Sequence, residues 1–287
     1  MVIWMSKLEE FAVFILTHGR SDDVTTYRTL KRCGYTGPVY IVIDTDDAEA
    51  PAYFAKYGDK VLQFSKREIE NDFDVMDNFH NYGVILYARN ACQKFAKDLG
   101  YKYMLQLDDD YTSFSFRYEV NGKLKSKKVH DLNFVFEYML DFLVDSDALT
   151  VAMIQGGDLI GGANTNWERR VLRKAMNTFF SRTDRPIPFF GSINEDVNTY
   201  CDLGRRGELM MSVVDIQMDQ KQTQGNKGGM TGAYLDGGTY LKSFYTVMAQ
   251  PSSVTVAMMG DGHYRLHHNI DWNATVPKII DKKFKRK

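Results

Sequence analysis

The stretch YMLQLDDDY, Tyr103 to Tyr111, decides the reading of this chain. An apolar run with the look of a buried strand stops at three adjacent carboxylates, Asp108, Asp109 and Asp110. Like charges this close repel, and burying them unpaired is expensive, so water, a basic neighbour or a cation must make the cluster tolerable. Asp108 and Asp110 fall on one side if the strand continues, and Asp109 on the other. Asp108 and Asp110 are therefore the expected ligand pair, and Asp109 is the poorer choice.

Upstream, Tyr82 to Leu99 carries Ile85, Ala88, Cys92, Phe95, Ala96 and Leu99 at helical spacing, with Gly100 placed to end the helix. Further upstream, FAVFILTHGR (Phe11 to Arg20) and VYIVIDTDD (Val39 to Asp47) read as buried strands with polar exits, joined by a helix over Val24 to Cys33. Continuous apolar strands alternating with helices predict a parallel α/β sheet. Ligands of such sheets bind beyond the carboxyl ends of the strands. Thr17, His18 and Arg20, then Asp44, then the Asp triplet should thus share one edge. Any one cluster alone reads equally well as a capped loop; Asp44 could bond its own turn, and Ser21 or Asp22 could cap the next helix.

Downstream, Asn121-Gly122 between alternating segments marks a hairpin. Leu132 to Val144 reads as a helix and Leu149 to Ile154 as a strand. Gly156, Gly157, Gly161 and Gly162 punctuate a loop. Gln220 to Gly238, polar and with six glycines, reads as a mobile loop over a site or a linker. No domain boundary stands out. One domain is expected, with a nucleotide-sugar half over 1–115 and an acceptor-binding half over 116–287.

Composition narrows the class. With 287 residues, 44% hydrophobic and 25% charged, the chain can bury a sizeable core. The net charge of −1 excludes a strong global field, so nucleic acid would need a local basic patch. Two are present: Lys123, Lys125, Lys127 and Lys128 around the hairpin, and Arg169, Arg170, Arg173 and Lys174 at helical spacing. A solvated charged face explains such runs as well. Trp167, Phe189 and Phe190 are candidates to stack on a flipped base, or core residues. The three separated cysteines fit reduced thiols and a cytoplasmic setting. Neither a secretory leader nor a membrane span is expected.

The layout resembles a GT-A fold nucleotide-sugar glycosyltransferase. The resemblance rests on Thr17-His18-Gly19-Arg20, on Ala88-Arg89-Asn90 one helix before the triplet, on Asp108 to Asp110 as a DxD motif, and on Asn194-Glu195-Asp196 as an xED motif. Within that fold the chain is most similar to the TET/JBP-associated glycosyltransferases, through ILTHGR, LDDD, GSINEDVNTYCDLGRRG and RLHHNIDWNATVPKII. The resemblance implies an α/β, Rossmann-like and mostly parallel central sheet flanked by helices, with a smaller acceptor-side subregion. It implies a hexosyl- or pentosyltransferase using a UDP-sugar and Mn2+ or Mg2+. The expected acceptor is a hydroxymethylated pyrimidine such as hydroxymethylcytosine in bacteriophage DNA, in the host cytoplasm.

Residue by residue, Asp110 resembles the direct metal ligand, and Asp108 a residue contacting the metal or the donor ribose. Asp109 belongs to the same donor-side motif. Arg89 would reach the diphosphate, where a guanidinium fork suits phosphate oxygens. Thr17, His18, Arg20 and Asp44 would line the base and ribose. Asp196 resembles the general base, with Glu195 beside it binding the acceptor. The helix dipole at a helix N-terminus would explain this acidic pair equally. His267 or His268 would complete the metal shell. Strand alternation points the two oppositely, so only one can serve. Rival readings are a protein or polysaccharide acceptor, a metal-dependent nucleotidyltransferase or nuclease, and a non-catalytic binding module.

Overall fold

A computed structural model describes residues 6–156, 177–221, 231–259 and 264–275, the side chains of 231–239 and 259 excepted. The N-terminal half alternates as its sequence does. β1 (Phe11–Leu16), α1 (Thr25–Arg32), β2 (Val39–Asp44), α2 (Ala50–Tyr57), β3 (Val61–Phe64) and the short α3 (Lys66–Ile69) lead to α4 (Leu86–Asp98) and β4 (Tyr103–Asp108). β5 (Tyr111–Val120) and β6 (Lys123–Lys128) form the hairpin, and Asn121 and Gly122 both take positive φ, 52° and 74°. α5 (Leu132–Asp145), β7 (Thr150–Gln155), β8 (Phe179–Arg182), α6 (Glu195–Arg206), β9 (Met210–Gln220), α7 (Thr231–Ala249), β10 (Val254–Met259) and β11 (Arg265–Ile270) follow.

Nine strands make one sheet in the order β3-β2-β1-β4-β8-β7-β9-β5-β6. β3, β2, β1 and β4 are parallel neighbours, which is the arrangement the α/β reading requires. Antiparallel pairing enters at β8 and returns between β9, β5 and β6. β10 and β11 form a separate pair beside α7.

β1 explains its own composition. Phe11, Val13 and Ile15 enter a core shared with Leu30 of α1 and Phe136 and Leu140 of α5. Ala12, Phe14 and Leu16 enter a second core with Tyr87, Ala91 and Cys92 of α4. A strand covered on both faces is apolar throughout instead of alternating.

One expectation needs correction. Gln220 to Gly238 is not one loop: β9 runs to Gln220 and α7 begins at Thr231, while 222–230 lie outside the described residues. Gly232, Gly237 and Gly238 are helical, although glycine disfavours helix interiors; packing of the later turns, where Tyr245 and Thr246 are fully buried, overrides the local preference. The loop expected around Gly157, Gly161 and Gly162 also lies outside the described residues.

Candidate active site

The parallel strands deliver their exits to one edge. β4 ends at Asp108, and Asp109-Asp110 make the turn into β5. Thr26 on α1 fixes that turn from below. Its N–H donates to Asp109 O at 2.9 Å and its hydroxyl to Asp108 O at 2.6 Å, and the hydroxyl accepts from Tyr111 N at 2.9 Å. Asp109 is 4% exposed and faces the β1 exit. It accepts from Thr17 Oγ1 at 2.6 Å and from Arg20 Nη1 at 2.8 Å. Thr17 in turn accepts from the Tyr53 hydroxyl at 2.9 Å, which accepts from Arg20 N at 2.8 Å.

Asp44, at the β2 exit, is buried. Its Oδ2 meets His18 Nδ1 at 2.7 Å and Lys66 Nζ at 3.1 Å. Burial opposes ionisation, but the bond from His18 and the Lys66 charge outweigh it and hold the carboxyl at about 2. The same bond, working against burial, raises the His18 imidazole above its ordinary value. Asp44 thus orients His18, which stays half exposed at the edge, and does not itself face solvent.

The Arg89 side chain is 3% exposed, because two carboxylates and two rings enclose it. Nε lies 3.2 Å from Glu195 Oε1 and Nη2 3.2 Å from Asp108 Oδ1, with the Phe179 and Phe189 rings 5.0 and 5.9 Å from the guanidinium. Among the described residues Nη1 has no hydrogen-bond partner. Burial works against the charge, but Asp108 and Glu195 more than offset it. Glu195 is correspondingly buried and engaged with Arg89. Burial and the neighbouring Asp196 push its carboxyl upward. Phe189 is core, 1% exposed and against Phe179, so it offers no stacking face. Phe190 remains half-buried.

Asp196 is half-buried, and no other described residue bonds its carboxylate. The same holds for the Asp110 carboxylate. After burial, the Asp196 charge raises the Asp108 carboxyl, and the Asp108 charge in turn raises that of Asp110. Burial first, then Asp108 and Asp109, drive the Asp110 carboxyl up to about 7.

The segment before α6 is held by residues no motif announced. Asn194 adopts φ 56°, ψ 40°, and its Nδ2 donates to Lys242 O at 2.8 Å and Thr246 Oγ1 at 3.0 Å of α7. The Tyr245 hydroxyl accepts from Ser192 N at 3.0 Å and lies 2.8 Å from Asp77 Oδ2 and 2.6 Å from Val75 O. The Ser192 hydroxyl donates to Asp77. Gly191, at φ 83°, is required here, since a Cβ would sit 2.4 Å from Asn198 Nδ2. These hydrogen-bonded partners are 48 to 170 residues apart, so no local pattern marks them.

The histidines depart from the strand rule. His267 and His268 were expected to point oppositely, yet their rings lie 4.4 Å apart, because His267 Nδ1 turns back to bond His268 O at 2.6 Å. Among the described residues no three His, Cys, Asp or Glu side chains gather as a metal site. The donor set nevertheless fits a hard cation that shares its shell with phosphate oxygens: Asp110 is an unpaired carboxylate in a turn already crowded with negative charge. Lys123, Lys125, Lys127 and Lys128 are exposed on the hairpin. Trp167, Arg169, Arg170, Arg173 and Lys174 lie outside the described residues. Cys33, Cys92 and Cys201 are free and buried. No described helix is long and apolar enough to cross a membrane.

Among solved structures the chain is similar to a mycobacterial protein (12% identity, covering 94% of this chain and 89% of that one, TM-score 0.47). It is also similar to S. aureus TarS (14%, 74% and 37%, 0.43). A third is glucosyl-3-phosphoglycerate synthase from Mycobacterium tuberculosis in complex with Mn2+, UDP-glucose and phosphoglyceric acid (9%, 92% and 94%, 0.47). No curated protein matches. Residues 11–229 match the TET-Associated Glycosyltransferase family, and the chain belongs to that family.

Proposed function

We infer that this glycosyltransferase moves a sugar from a UDP-sugar to a hydroxyl of a hydroxymethylated pyrimidine in phage DNA, with a divalent cation at Asp110. One observation carries the reading. Asp108 and Asp109 are each held by an arginine, whereas Asp110 and Asp196, flanking Asp108, bond to no other described residue. A free carboxylate at the exit of a parallel strand suits a cation seat, and a second beside Asp108 at the start of α6 suits a base.

Asp110, with the second oxygen of Asp108, would hold the cation, which when bound neutralises the departing diphosphate. His18, held by Asp44, and Arg20, held by Asp109, present donors along the nucleotide edge. Asp196 takes the proton of the acceptor hydroxyl as its oxygen bonds the sugar carbon and the bond to the diphosphate breaks, as an inverting transfer requires. Glu195 acts through Arg89 and is a positioning residue. In this reading residues 1–115 supply the donor side and 116–287 the acceptor side.

Thermal shift with UDP and UDP-glucose, with and without Mn2+ or Mg2+, tests the donor half. Nucleotide stabilisation that needs the cation and disappears in Asp110→Ala is expected. Stabilisation that ignores the cation would sink the metal assignment. Mass analysis of hydroxymethylated DNA after incubation with the stabilising donor tests the acceptor half; unmodified DNA alongside a glycosylated protein or polysaccharide would replace it.

A further inference from the structure

The β5–β6 hairpin has two unlike faces. Opposed residues of an antiparallel pair share a face. The register therefore puts Val120 with Lys123, Tyr118 with Lys125 and Phe116 with Lys127 on one side, and Glu119, Leu124 and Ser126 on the other. Leu124 packs toward Ile154 and Val214. On the first side Tyr118 and Val120 are 42% and 44% exposed, and the three lysines are exposed and ion-paired to no described residue. β9 pairs with β5 only as far as Phe116, so Arg117 to Val120 and Lys123 to Ser126 continue as a two-stranded ribbon with no third strand bonded to it.

The ribbon is also a ruler. β5 begins at Tyr111, directly after Asp110, and runs to Val120 with a register shift between Tyr111 and Ser113. At about 3.4 Å per residue, Phe116, Tyr118 and Val120 stand at most roughly 20, 27 and 34 Å along the chain from Asp110. Lys127, Lys125 and Lys123 stand opposite them. Charges so far from the reacting groups do nothing for a small acceptor. Three evenly spaced positive charges beside the exposed Tyr118 and Val120 suit a polyanion long enough to occupy the site and the ribbon together.

We propose that this lysine face of the β5–β6 ribbon is the docking surface for the nucleic-acid backbone, gripping the acceptor duplex about six to ten base pairs from the base being modified, at about 3.4 Å per base pair. The lysines neutralise phosphates, and Tyr118 and Val120 lie against the sugars between them. The contact is sequence-independent, so it positions the duplex without choosing the base. The proposal rests on the DNA-acceptor reading above.

Fluorescence anisotropy of the full chain with hydroxymethylcytosine duplexes tests it. One duplex is about 30 base pairs long with the modified base central, and the other about 10, too short to reach the ribbon. Relative to the unaltered chain, K123Q/K125Q/K127Q should bind the long duplex at least about tenfold more weakly, and its log-affinity against log-salt slope should be shallower by about two to three, as loss of three phosphate contacts requires. Both proteins should bind the short duplex alike. A control, K94Q/K97Q on exposed α4 positions, should bind the long duplex as the unaltered chain does. Equal affinity and slope for the triple variant, or an equal loss on the short duplex, overturns the ribbon and leaves the DNA acceptor standing. Failure of the unaltered chain to bind either duplex overturns both.

Discussion

Arg89 Nε meets Glu195 Oε1 at 3.2 Å, joining the helix before the Asp triplet to the helix that begins with the xED pair, 106 residues later. Through its other nitrogen the same guanidinium holds Asp108. One buried guanidinium therefore sets the spacing between the exit of β4 and the start of α6.

Arg89→Met should cost about 3–5 kcal/mol in denaturant unfolding, because it strands buried carboxylates without a counter-charge. Adding Glu195→Leu should recover part of that loss, since an uncharged pair needs no partner. Additive losses in the double variant would mean that the two residues are not coupled.

Asp110 gives a pH signature in the metal-free protein. Its folded carboxyl, near 7, lies above the unfolded value of 3.8, so ionisation is harder in the folded state. The favourable contribution is whole below 3.8 and is lost as pH rises to about 7. Asp110→Asn should therefore match the parent near pH 4 and exceed it by on the order of 2 kcal/mol at pH 8. A gap that closes with rising pH would contradict this. If a cation binds the ionised carboxyl, its affinity should also climb through the same window.

Asp44 titrates the other way. Its folded carboxyl, at about 2, lies below the unfolded value, so its stabilisation is present above 3.8 and lost as pH falls toward 2. Asp44→Asn should flatten the acid limb of the stability curve between about pH 4 and 2 and free His18 to titrate nearer its ordinary value. NMR titration of the His18 ring reads the second effect directly. An unmoved midpoint would break the link.

Tyr245→Phe removes one oxygen that ties Ser192, Asp77 and Val75 together. The expected cost is about 1–3 kcal/mol, the range for leaving buried polar partners unmet. If Asp196 is the base, kcat should fall more than the donor KM changes. Gly191→Ala, which forces a Cβ against Asn198 at φ 83°, should reproduce the kcat loss with a larger destabilisation.

The parallel half of the sheet was legible in the sequence. β1, β2, β4 and α4 announce themselves as runs whose apolar residues fit a doubly covered strand or a one-faced helix. The hairpin was legible from Asn121-Gly122 alone. What escaped depends on distant partners. Nothing local shows that Arg89 is enclosed by Glu195 and Phe179, so a guanidinium one helix from the triplet reads as a phosphate ligand. Tyr245 looks like any core tyrosine until Ser192 and Asp77 are seen beside it. α7 escaped because its glycines speak louder than its later, buried turns.

Thr26 carries a further consequence. Its hydroxyl and amide pin the backbone on both sides of the Asp109-Asp110 turn before anything binds. The disorder that a loop of three acids would otherwise retain is surrendered when the chain folds, not when a ligand arrives. Binding at this turn should then leave amide exchange at residues 108–111 almost unchanged, with the response confined to side-chain carboxyls. Removing the Thr26 hydroxyl as Thr26→Val would shift that ordering onto the binding step, weakening affinity at a turn the ligand never touches through residue 26.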